Sequence, residues 1–175
     1  GTSTLQTNGK KLSPRHFEIG IQNELNLTDV VTDNDSSLSL LANSSITKTG
    51  DILLNEINTN GYTLTLNPAI TSLTAEKIYI PNYDNSSSNY MASTGEFLAQ
   101  GVDVTLKKYL WVEKGKFKMG AGTLTLEQGG ELGEGGELDL TGSILELTGP
   151  FYNYKGKGTL TTSASTLSLK SNVKF

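Results

Sequence analysis

Between Gly122 and Gly149 the chain reads GTLTLEQGGELGEGGELDLTGSILELTG. Apolar residues stand two positions apart in pairs, glycines fill the gaps, and the unit recurs about every seven residues. Few architectures tolerate that rhythm. Apolar–polar alternation is the signature of a strand with one buried face. Glycine at each gap supplies the positive φ that a tight corner needs.

The pairs run through the whole second half of the chain. They are Val104–Leu106, Leu110–Val112, Phe117–Met119, Leu124–Leu126, Leu138–Leu140, Leu145–Leu147, Leu160–Thr162 and Leu167–Leu169, with Leu132 and the segment 151–154 filling the two gaps. Every third start forms a series: 104, 124, 145 and 167; then 110, 132 and 152; then 117, 138 and 160. Three short strands per turn and about 21 residues per coil predict an all-β fold, a triangular parallel β-solenoid. An antiparallel sandwich would space its turn signals about 8–12 residues apart and use longer strands. No segment shows the apolar spacing of three and four that a helix requires.

In the front half, Leu38–Leu40, Ile52–Leu54, Leu64–Leu66 and Ile78–Ile80 lie about two steps apart, and further strands are expected near Ile46, Ile57 and Leu73. Residues 1–37 lack the glycine corners and read as an N-terminal cap or an adapted first coil. Residues 38–175 read as the solenoid proper. Pro81–Gln100 interrupts it as an Asn/Ser-rich loop, with one helical turn expected over 93–99.

The composition suits a fold rich in corners: 19 glycines and 35% hydrophobic residues in 175. A net charge of −4, with no basic run longer than Lys10–Lys11 or Lys107–Lys108, argues against a nucleic-acid partner. No apolar run is long enough for a membrane-spanning helix. The absence of cysteine removes disulfides, thiolate metal sites and cysteine nucleophiles. The chain opens on Gly1 rather than Met, as expected of a processed or excised polypeptide. Asn26, Asn34, Asn43 and Asn85 head Asn-x-Ser/Thr triplets, the acceptor pattern for glycosylation, which chance also supplies in so Asn- and Ser-rich a chain.

Candidate chemistry is sparse. Glu127, Glu131, Glu134, Glu137 and Asp139 form the densest carboxylate supply, but the four glutamates sit in or beside glycine corners, and nothing nearby is expected to supply a basic partner or an apolar wall to separate two pKa values. The single histidine, His16, falls in the presumed cap. No nucleophile occupies a strained-turn motif, and no catalytic set is expected. Asp29, Asp33 and Asp35 are weak calcium candidates, and their spacing is equally that of an Asp/Asn-rich turn. If the leucines point inward, the outward ladders are Thr105–Thr125–Glu146–Ser168 and Lys118–Asp139–Thr161, too mixed and charged for a flat ice-binding surface.

The aromatic residues suggest an interaction surface. Trp111 points outward and Tyr152 follows two coils later, which puts their rings about 10 Å apart on one face. With Tyr154 alongside, they could stack on a sugar, cover a neighbouring subunit or fill gaps in packing. At the other extreme, Val173 and Phe175 form one more in/out pair at the expected step. A rung ending there is either the cut end of a longer solenoid or one whose unpaired backbone groups are covered by the next molecule, head to tail.

The Thr-Leu-Thr-Leu and Gly-Glu-Leu-Asp-Leu-Thr-Gly-Ser coils resemble those of bacterial surface β-helix proteins, adhesins and autotransporter passenger domains, over about residues 38–175 and in repeat style. The glycine spacing departs from that of bactofilins. The resemblance implies an extracellular or cell-surface location and an elongated, structural role. The expectation is a non-enzymatic, self-assembling subunit of a surface filament, sheath or adhesive appendage, with no cofactor. The alternatives are a segment that binds a surface glycan, or a β-helix polysaccharide lyase or depolymerase.

Overall fold

A computed structural model describes residues 3–4, 17–19, 24–28, 32–80, 94–153 and 157–170, with side chains from Glu24 onward. Among them are eighteen strands and no helix. The chain coils through three faces in turn. The first face holds the leading halves of β6 (Gly50–Asn58), β8 (Ile70–Ile80) and β10 (Asp103–Val112), then β12 (Gly122–Leu126), β15 (Ser143–Leu147) and β18 (Thr166–Leu169). The second holds β2 (Phe17–Ile19), β4 (Ser37–Leu40), the trailing halves of β6, β8 and β10, then β13 (Gly130–Leu132) and β16 (Phe151–Asn153). The third holds β1 (Ser3–Thr4), β3 (Glu24–Asn26), β5 (Ser44–Thr47), β7 (Thr63–Leu66), β9 (Gly95–Leu98), β11 (Gly115–Lys118), β14 (Gly136–Asp139) and β17 (Thr159–Thr161).

Every pairing is parallel, and each strand bonds to its counterparts one coil before and after. On the first face Val104 stands over Leu124, Leu124 over Leu145 and Leu145 over Leu167. These are the same members that the sequence periodicity groups into one series. The triangular parallel β-solenoid is therefore the fold. The strands expected near Ile46, Ile57 and Leu73 are β5, the trailing half of β6 and the leading half of β8.

Alternation builds the core. The inward columns of the first face bury Ile52, Leu73, Val104 and Leu124, and behind them Leu54, Ala75, Leu106 and Leu126. On the third face Leu64, Phe97, Phe117 and Leu138 stack in one column, all at 0% exposure, and the two phenylalanine rings lie nearly parallel with centroids 4.8 Å apart. Apart from Ile52 and Leu54, which head their columns among the described residues, each of these side chains lies between the same positions of two neighbouring coils, so stability is a sum over interfaces between coils.

One corner shows why glycine is required. Gly95, Gly115 and Gly136 stand over one another at the entrance to the third face. Gly115 has φ +113°, and a Cβ there would meet the Gly95 carbonyl oxygen at 2.1 Å. Any larger residue would force the coils apart.

The segment expected to be a loop with a helical turn is partly strand. Gly95–Leu98 is β9, which pairs with β7 and β11 and carries Phe97 into the core. Its short Gly-Glu-Phe-Leu sequence offers one large inward residue, too little alternation to reveal a strand beside a polar loop. Strands β1, β2 and β3 join the same parallel ladders as later coils.

Candidate functional site

Two surfaces stand apart from the repeating polar faces: an aromatic strip on the second face and the open end of the last coil. The strip follows from the register. Tyr79, Trp111, Glu131 and Tyr152 occupy one outward column on four successive coils. The sequence periodicity puts Trp111 and Tyr152 two coils apart on one face, and that is where they stand. It does not point to Tyr79 or Tyr109. Tyr79 lies directly beside Trp111, with ring centroids 6.2 Å apart and planes tilted by 60°. The insertion after Ile80 lengthens the coil between these two rings, which hides their pairing from a regular step.

The glycine-rich segment 129–136 supplies the rung between Trp111 and Tyr152. Glu131 fills the rung there, and its Oε2 accepts a hydrogen bond from the Tyr109 hydroxyl at 3.0 Å. Burial, together with that hydrogen bond and the charge of Glu131, pushes the Tyr109 phenol well above its ordinary value. The indole Nε1–H of Trp111 donates to Glu113 Oε2 at 2.8 Å, and Lys77 Nζ lies 6.0 Å from the Tyr79 ring centroid. Tyr79, Tyr109 and Trp111 are half-buried, while Tyr152 is 47% exposed.

The second surface lies where the described core columns stop. Leu160, Leu167 and Leu169 hold inward positions of β17 and β18 yet are 38%, 51% and 48% exposed. A cavity of about 180 Å³ opens beside them, lined by Leu140, Leu145, Phe151, Leu160 and Leu167, with Thr162, Ser165 and Thr166 at its polar margin.

The acidic cluster corrects one expectation. Basic partners do exist, and they come from neighbouring coils. Lys116 Nζ lies 2.7 Å from Glu137 and 3.7 Å from Asp139, and Lys157 lies 2.7 Å from Glu134. The hydrogen bond to Glu137 raises the Lys116 ammonium above its usual value, against a smaller opposing effect of burial. Burial acts to raise the Asp139 carboxyl, but hydrogen bonds from the Thr141 side chain and backbone, with Lys116 and Lys118, hold it below its ordinary range. These contacts join one coil to the next, as do Lys108–Glu76 and Lys170–Glu146. Their geometry suits the holding of register between coils.

The outward ladders Thr105–Thr125–Glu146–Ser168 and Lys118–Asp139–Thr161 stand as expected. Asp33 organises a turn: its Oδ1 accepts from the Asp35 backbone N–H at 3.1 Å and from the Ser36 hydroxyl at 3.2 Å. Among the described residues no group of three His, Cys, Asp or Glu side chains converges to hold a metal ion. Asp29, His16, Asn85, Tyr154, Val173 and Phe175 lie outside the residues whose side chains are described.

The fold and these two surfaces define a parallel β-solenoid protein with an aromatic strip and an apolar end. Comparison with known protein families, with curated proteins and with solved structures finds no match to this chain.

Proposed function

We propose that this chain is a non-enzymatic structural protein, extracellular or on the cell surface, that stacks head to tail into a filament, sheath or adhesive appendage. The observation that carries the reading is the set of half-exposed leucines on the last described coil. Leu160, Leu167 and Leu169 occupy columns whose members one coil earlier, Leu138, Leu145 and Leu147, are at most 3% exposed. Half-exposed leucines beside a cavity invite another coil of the same shape. A second copy fits that description, because β1 and β17 are the two edge strands of the third face among the described residues. Docking the β1 end of a second copy beyond β17 would extend the third-face ladder, cover Leu160 and close the cavity that it lines with Leu167. Such a contact joins two different surfaces, so it repeats into an open filament.

The charged side chains support the structural reading, since their contacts run between coils. The extracellular location rests on the resemblance in repeat style. Negative-stain electron microscopy of the purified chain over a concentration series, with and without calcium, tests the assembly. Filaments of regular width are expected, and Leu167→Asp with Leu169→Asp should leave short rods with an unchanged circular dichroism spectrum. Short rods of the unaltered chain at every concentration would refute it.

A further inference from the structure

We infer that the aromatic strip on the second face is a binding site for a neutral glycan laid along the solenoid axis. The inference stands apart from end-to-end assembly, since it uses a side face and other residues. Four observations combine. First, the described tyrosines and tryptophan are segregated: all but Tyr62 project from this one face, while Phe97, Phe117 and Phe151 are buried in the core. Rings with a polar edge suit a surface that is part apolar and part wet.

Second, Trp111 is pre-oriented. The Tyr79 ring braces it at 6.2 Å and its Nε1–H is held by Glu113. A ring already fixed loses little freedom when a ligand arrives. Third, Tyr152 stands two rungs away, about 10 Å along the axis, and is 47% exposed. That separation is close to the length of a disaccharide unit, so two rings can each meet the apolar face of a sugar in one extended chain.

Fourth, hydrogen-bond acceptors lie beside and between the rings. Glu113 and Glu131 each commit Oε2 to a protein donor, which leaves Oε1 for ligand hydroxyls. Two carboxylates beside the rings, set against Lys77 over Tyr79, would repel uronates and sulfated sugars. A hydroxyl-rich, uncharged chain satisfies both the rings and the carboxylates. The competing occupant is a second copy lying side by side.

Trp111 is the only tryptophan, so its fluorescence reports this face alone. The full chain would be titrated with cellohexaose, mannohexaose, maltohexaose and hexagalacturonate, with calorimetry in parallel. Saturable binding of at least one neutral hexaose is expected, with hexagalacturonate weaker. Tyr152→Ala should weaken that binding about tenfold. Trp111→Ala, followed by calorimetry, should weaken it at least as much, and Tyr62→Ala should leave it unchanged. No saturable response to any neutral hexaose, or undiminished binding by Tyr152→Ala, would overturn the inference. So would a Trp111 signal that changes with protein concentration alone and is abolished by Tyr152→Ala, because the strip would then be a lateral interface.

Discussion

Leu124 and Leu167 hold the same inward position two coils apart, yet Leu124 is fully buried and Leu167 is 51% exposed. The residue type, face and column are the same. Only the neighbours differ: Leu124 lies between Val104 and Leu145, whereas Leu167 has Leu145 on one side. In a solenoid, burial is a property of the stack, and a side chain acquires its core environment from the coils before and after its own. The middle of the described solenoid is therefore an enclosed core, and its last described coil is covered on one side.

The difference can be broken most severely from the middle. Phe117→Ala removes one member of the Phe97–Phe117 stack and should cost about 3–5 kcal/mol in chemical denaturation. Leu124→Ala should cost about 2–5 kcal/mol, while Leu167→Ala in dilute solution should cost under about 1 kcal/mol. Equal losses at the two leucines would remove the distinction between core and end. Next in size is the corner: Gly115→Ala sets a Cβ against the Gly95 carbonyl at a positive φ, and a loss of about 3 kcal/mol is expected.

The smallest expected effect concerns pH. The folded Asp139 carboxyl titrates below its ordinary value of 3.8. Its contribution is thus complete above that value and disappears as pH falls through the lower, folded one. Lys116 is raised above 10.5, so its contribution is complete below that value and is lost as pH rises through the higher, folded one. Between these limits the contributions of these two groups are constant. In thermal melts across pH, Asp139→Asn should flatten the acid limb, and an acid limb unchanged by that substitution would remove Asp139 from the explanation.

The coil is legible in the sequence because its cause is local. Leu124-Thr-Leu126, Leu138-Asp-Leu140 and Leu145-Glu-Leu147 state the inward and outward sides, and the intervening glycines mark the corners. Contacts across coils are legible only where the step is regular. Counting pairs Trp111 with Tyr152 but misses Tyr79 and Tyr109. The insertion breaks the count before Trp111, and the register of β10 shifts against β8 between Leu106 and Tyr109. The partners of Glu134 and Glu137 are hidden for a related reason: Lys157 and Lys116 each lie a full coil away along the chain. Strand β9 is masked by its polar neighbours, although Phe97 fills the core column between Leu64 and Phe117.

The central claim is that a second molecule completes the half-built core at the last coil. Amide hydrogen exchange of β18 and β12, measured over a range of protein concentration, tests it most directly. Thr166–Leu169 should gain protection as concentration rises, while Gly122–Leu126, already enclosed, should stay constant. Protection of Thr166–Leu169 that does not change with concentration would contradict assembly through this end.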